Sequence, residues 1–188
     1  MKTTNKIIKN IQQISLELGR TFFGFDTLSL ETSEEEKSQL FYDEKVKNYY
    51  GSVDVDSKEI KFIIEAFFSI HSAKTLAISK LAKTDDDILE DMALDSLGEF
   101  LNVLAGLFKT IFKYPETFSF IGIPSIIPIM TPKPDSKELI SRWMLSDSLR
   151  NVTVEFSLLC YPKNSEVMRK VVVDHFKNNI EIDTIQIL

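Results

Sequence analysis

The chain has 188 residues, 44% of them hydrophobic and 27% charged, the balance of a globular protein that can bury one core. Its net charge of -6 argues against a nucleic-acid partner, because phosphate backbones are bound by clustered Lys and Arg. A single cysteine, Cys160, excludes an internal disulfide and a thiolate cluster; two histidines, His71 and His175, exclude a three-histidine metal site. Met1 to Asn10 carries Lys2, Lys6 and Lys9 but no apolar core of the signal-peptide kind. No run approaches the ~20 apolar residues that cross a bilayer. A soluble, cytoplasmic protein without membrane association is expected.

In chain order, Ile7, Ile11, Ile14, Leu18 and Phe22 recur at helical spacing between Asn5 and Phe23, and Gly24 stands where that helix would end. Phe25 to Leu30 reads as a first strand. Glu31 to Ser38, with Glu34, Glu35, Glu36 and Lys37, reads as a solvated loop or short helix. Lys45 to Val55 and Glu59 to Phe68 then form two strands about the turn Asp56-Ser57-Lys58. A helix is predicted from His71 to Lys83, with Ser69 or Ser72 as its N-cap. Asp85-Asp86-Asp87 is read as the start of a long helix that continues to about Lys113. Carboxylates in a first turn complement the helix dipole, and the run lacks EF-hand spacing.

Past Pro115, Thr117 to Met130 is β-rich but interrupted by Pro124 and Pro128, and Thr131 to Ser136 is a loop. Leu139 to Ser146 and Asn151 to Cys160 are two further strands about Asp147-Ser148. Beyond Pro162 come a helix from Ser165 to Phe176 and a strand-like stretch from Ile180 to Leu188. These elements predict an α+β domain over residues 1–162, an antiparallel-rich sheet with helices packed on one face. Residues 163–188 form an extension expected to cover the sheet or to offer an edge strand to a homodimer. Phe67, Phe68, Phe118 and Phe120 are assigned to the core, because no basic stripe accompanies them to make a nucleic-acid platform. Cys160 is assigned to the core, His175 to the surface, and Trp143 to packing or a rim.

The long helix carries the chemistry. At about 100° per residue, Leu94, Leu97, Leu101, Leu104, Ala105 and Phe108 form one buried stripe. Asp95, Glu99, Asn102 and Gly106 fall within about 60° of one another, roughly opposite that stripe. One face therefore presents an acid, an amide and a bare patch of backbone. Glycine inside a helix costs about 1 kcal/mol against alanine. Two reasons for Gly106 stay open: the close approach of a partner, or a packing contact with another element. An E-x-x-N pair on an exposed helix is common and by itself a weak signal.

The longer string, Asp95-Ser-Leu-Gly-Glu-Phe-Leu-Asn-Val-Leu-Ala-Gly106, resembles the signature helix of the CheC/CheX/FliY phosphatases. In that family a Gly-Glu-x-x-Asn core is followed by an apolar pair and Ala-Gly. Phe120-Ile-Gly-Ile-Pro-Ser-Ile-Ile looks like the family's strand with a Leu-Pro-x-Val type turn, and alternating Val152, Val154 and Phe156 like its closing strand. The sequence departs from the pattern at Leu107, where the family usually has Asn, and at Leu101, where a smaller residue often precedes the motif asparagine. The N-terminal helix contains no second Glu-x-x-Asn, so the resemblance is to the CheX type, with one site per chain.

This resemblance implies hydrolysis of the aspartyl phosphate on a phosphorylated CheY-like receiver domain in chemotaxis signalling. The receiver would supply the phosphorylated Asp, Mg2+ and a Lys, so no cofactor or metal of the chain's own is implied. Asn102 would position the attacking water and Glu99 would pair with the receiver's Lys. Asp95, Gly98 and Gly106 would belong to the partner-binding face. The alternative is a non-catalytic CheX-like binding or scaffold domain in chemotaxis or the flagellar switch.

Overall fold

The computed structural model describes residues 4–32, 46–57, 60–84, 87–111, 118–129 and 139–163. The first helical stripe becomes α1 (Thr4–Phe23), which buries Ile11, Ile14, Leu18 and Phe23. Gly24 follows at φ 68°, in the left-handed region that favours glycine and ends helices. The chain then turns once more before β1, which spans Ser29–Thr32. Strand pairing therefore begins later than the predicted Phe25. Phe25 is instead buried within a turn, where its carbonyl accepts from the Leu28 N–H at 3.1 Å. Glu31, assigned to a loop, lies in β1 opposite Met144.

The predicted hairpin is β2 (Asn48–Ser57) and β3 (Ile60–Ser69). It is followed by α2 (Ile70–Leu81), whose N-cap is Ser69: the Ser72 N–H donates to Ser69 Oγ at 3.1 Å. Next comes α3 (Glu90–Ile111). The acidic run does not open this helix as expected. Asp85 and Asp86 lie outside the described residues. Asp87 sits in a turn closed by its N–H on Thr84 O at 3.1 Å and by Thr84 Oγ1 on Asp87 Oδ2 at 2.6 Å. Glu90 and Asp91 supply the carboxylates of the first turn instead.

The remaining strands are β4 (Phe118–Ile121), β5 (Ser125–Ile129), β6 (Leu139–Asp147) and β7 (Val152–Pro162). The seven strands form one sheet in the order β1-β6-β7-β3-β2-β4, with β5 also paired to β2 and all of these pairings antiparallel. Pro124 separates β4 from β5. Pro128 does not interrupt β5, where it lies opposite Tyr49. A proline is tolerated there because β5 has a strand partner on one side only among the described residues.

Register sets which side chains meet the helices. Val53 pairs with Ile64 and Ile64 with Leu158; Ala66 pairs with Phe156 and Phe156 with Trp143. These residues form an apolar face, and Leu97, Phe100, Leu101, Leu104 and Phe108 of α3 join the same core. Helices thus cover one face of an antiparallel sheet, the α+β architecture read from the sequence. Trp143 stacks on Phe156 with centroids 5.6 Å apart and is fully buried, while Cys160 is buried with its thiol pKa pushed up to about 11 by burial.

Phe120 corrects the core assignment. The Val55–Ile121 pairing turns Ile121 toward the helices, so Phe120 faces the other way at the sheet edge and is 58% exposed. Phe67 and Phe68 are buried, on opposite faces of β3. The expected loop over 131–136, the helix over 165–176, His175 and the strands over 180–188 lie outside the described residues. Among the described residues, no helix is long and apolar enough to cross a membrane.

Candidate functional site

The candidate face is held in place by two features of α3. Its first residue, Glu90, is fixed to the start of β2: Tyr49 Oη in the strand and Lys47 Nζ just before it both donate to Glu90 Oε1. Hydrogen bonds from Lys47 first, and then Tyr49, hold the Glu90 carboxyl below its ordinary value. The same contacts raise the Lys47 ammonium to about 12. At its middle, Leu101 is fully buried against β2. A Cβ built on Gly51 would lie 2.9 Å from Leu101 Cδ1, so any side chain there would force the end of Leu101 to shift. The bulk that departs from the family pattern therefore points inward, away from Asn102. Leu107, the other departure, is half-buried and packed against the core.

With the apolar stripe seated, the opposite side of α3 faces outward. Asp95, Glu99 and Asn102 are exposed. Together with Asp91 they line one wall of an open groove of about 630 Å³. The other wall is the β4–β5 turn, Gly122-Ile123-Pro124, with Ile121 and Ile126 behind it. This turn is pinned to the sheet. The Gly122 N–H donates to Asp54 O at 2.8 Å, and a Cβ at Gly122 would lie 3.2 Å from the Asp54 Cβ. Ile123 projects from the turn and is 90% exposed.

The two glycines of the motif stand in different surroundings. Gly98 lines the groove, and a Cβ there would touch Ile126 Cδ1 at 3.7 Å and Pro124 Cβ at 4.0 Å, which is ordinary contact. Gly106 is half-buried one turn beyond Asn102, and a Cβ there would meet nothing within 4 Å. A packing contact inside the described chain is therefore not the reason for Gly106. Leu94, assigned to the buried stripe, is half-buried and contributes to the groove.

The charge on this face is acidic. Asp91 and Asp95 make no ion pair or side-chain hydrogen bond among the described residues. Glu99 accepts a hydrogen bond at Oε2 from Lys80 Nζ of α2. The β4–β5 wall and Lys80 were not singled out by sequence reasoning. The turn was read as a landmark of the fold, and nothing in the local spacing of Lys80 announces a partner 19 residues away. Among the described residues, no group of three or more His, Cys, Asp or Glu side chains is arranged to hold a metal ion.

An antiparallel sheet with three helices on one face has the architecture of the CheC/CheX/FliY fold. Solved structures bear this out. CheX from Vibrio vulnificus superposes with a TM-score of 0.63 at 12% identity, covering 83% of this chain and 99% of that one. The CheX–CheY–BeF3–Mg2+ complex from Borrelia burgdorferi gives 0.62 at 18% identity, covering 81% and 96%. FliY from Thermotoga maritima gives 0.52 at 13% identity, covering 92% and 96%. No family model matches the sequence, and no curated protein matches it. The likeness is one of fold.

Proposed function

We propose that the chain is a CheX-type phosphatase that hydrolyses the aspartyl phosphate of a CheY-like receiver domain in chemotaxis signalling. The observation that carries this reading is the exposure of Glu99 and Asn102 side by side, one helical turn apart, at the rim of an open groove. The fold is shared with a CheX that forms a complex with CheY, BeF3 and Mg2+, and beryllofluoride is a mimic of a phosphoryl group.

The chemistry asks little of this chain beyond positioning. A water oxygen attacks phosphorus in line, the bond from phosphorus to the receiver's aspartyl oxygen breaks, and the aspartate leaves as carboxylate. The water's proton ends on the released inorganic phosphate or in solvent. Such a transfer depends on orientation and charge stabilisation more than on covalent help. The Asn102 carboxamide oxygen accepts a hydrogen bond from the water and fixes its line of attack, without adding charge beside the phosphoryl oxygens. Glu99 pairs with the receiver's Lys and sets the docking register. Asp95, Gly98 and Gly106 form the surrounding contact face, where the open space at Gly106 admits the partner close to the helix backbone. Mg2+ is the receiver's contribution, and the reaction belongs to the cytoplasm, where receivers work.

The test is the decay of phosphorylated receiver from the same genome, with and without this protein and beside Asn102→Ala. Decay that accelerates with wild type and not with the mutant is the expected outcome. Full acceleration by Asn102→Ala refutes the assignment. Binding without acceleration by wild type makes the chain a scaffold domain instead.

A further inference from the structure

We propose that Lys80 is a built-in placeholder for the receiver's lysine: it holds Glu99 in the free protein and releases it when the receiver docks. The proposal rests on the phosphatase reading above and adds to it a residue of this chain that sets affinity through Glu99. Lys80 lies in the last turn of α2, and its Nζ donates to Glu99 Oε2 across to α3.

The two members of the pair are held unequally. The Lys80 side chain is 19% exposed, whereas that of Glu99 is 60% exposed. The Lys80 ammonium also lies 3.9 Å from the ring centroid of Phe22 on α1, a cation–π contact. Phe22 is itself fixed, with its ring edge-on to Phe23 at 4.9 Å and to Phe100 at 5.7 Å. The cation is therefore anchored at the junction of the three helices, and the carboxylate is the end that can leave.

This arrangement has a consequence for docking. A carboxylate that already faces an ammonium is charge-compensated, so a second ammonium gains less from it and also meets the like charge of Lys80. The receiver's lysine must displace Lys80 or share Glu99 with it. Ion pairs as exposed as this one shift an equilibrium by no more than about fivefold, so the exchange is reversible and the affinity tunable. Lys80 acts as a positioning residue, because it reaches the reaction only through Glu99.

Titration of beryllofluoride–Mg2+ receiver into wild type, Lys80→Met, Glu99→Gln and the double mutant tests this. Lys80→Met is expected to lower Kd about two- to fivefold, with a matching fall in KM and unchanged kcat. Lys80→Arg, which keeps the pair, behaves as wild type. In the Glu99→Gln background Lys80→Met adds nothing, since no pair remains to be released. The gain shrinks as salt rises, because exposed charges are screened. Unchanged or weaker binding by Lys80→Met overturns the placeholder role while the phosphatase reading stands. If loss of the ammonium over Phe22 unfolds that variant, a structure of wild type bound to the beryllofluoride–Mg2+ receiver carries the test: Lys80 still on Glu99, with no receiver lysine there, overturns the role. A wild-type protein that binds no receiver overturns both readings together.

Discussion

Asp147 and Glu99 are both carboxylates within reach of a basic residue, and they are used in opposite ways. Asp147 ends β6 with a side chain only 1% exposed. Its Oδ1 accepts from the N–H groups of Leu149 at 3.0 Å and Arg150 at 3.3 Å. Its Oδ2 accepts from Thr27 Oγ1 and Arg150 Nη1, both at 2.6 Å. Burial alone would raise this carboxyl, but the donors from Thr27, Arg150 and the turn backbone outweigh it and hold its pKa below the ordinary value. Glu99 is exposed, and Lys80 is the one hydrogen-bond donor the structure gives it among the described residues. A carboxylate whose lone pairs are all taken by its own chain ties elements together. One left open beside a groove is available to something else.

That contrast can be broken experimentally, and the largest effect falls on the open face. Asn102→Ala is expected to reduce receiver dephosphorylation at least about 100-fold, since a misplaced reacting group costs that much. Its melting temperature should stay within about 1–2 °C of wild type, because exposed side chains contribute little to stability. Asp147→Ala should do the reverse. Stranding Thr27 and the turn N–H groups costs about 2–3 kcal/mol, or about 5–10 °C in a chain of this size, and activity per folded molecule should persist. Calorimetry beside the decay assay separates the two outcomes.

Gly51→Ala tests whether the face depends on the seating of α3. The added methyl meets Leu101 Cδ1, so an overpacking cost of about 1–3 kcal/mol is expected. Leu101→Ala in the same chain relieves the clash, and the double mutant should recover activity lost by Gly51→Ala. If Gly51→Ala alone leaves both stability and activity untouched, the close approach of α3 and β2 is not what orients the site. The smallest effect is that of acid. The folded pKa of Asp147 is depressed, so its contribution is fully present above the unfolded value of about 3.9 and is lost as pH falls through the folded pKa. Denaturant midpoints measured from pH 6 downward should decline in wild type and decline less in Asp147→Asn.

Much of the fold was legible because the periodicities are strong. The α3 stripe Leu97, Leu101, Leu104, Ala105 and Phe108 is buried as its spacing requires, which forces Asp95, Glu99 and Asn102 outward. Alternation at Val152, Val154 and Phe156 likewise marked β7 as a strand. What could not be read depends on register and on contacts distant in sequence. Phe120 looks like core until the Val55–Ile121 pairing turns it outward. The acidic run at Asp85-Asp86-Asp87 fits a helix start on charge alone, but Thr84 closes a turn on Asp87, and Tyr49 and Lys47 fix Glu90 as the first residue of α3.

The sequence by itself determined which residues of α3 face outward, because a helix has one geometry and the Gly-Glu-x-x-Asn string on it can point only one way once the apolar stripe is buried. The tertiary structure decided what surrounds that face. It set the Ile123 turn across the groove from Asn102, turned Leu101 into the space over Gly51, and brought Lys80 to Glu99. Those contacts join residues far apart in the chain, and side chains of such separation meet only after strand register and helix packing have been chosen.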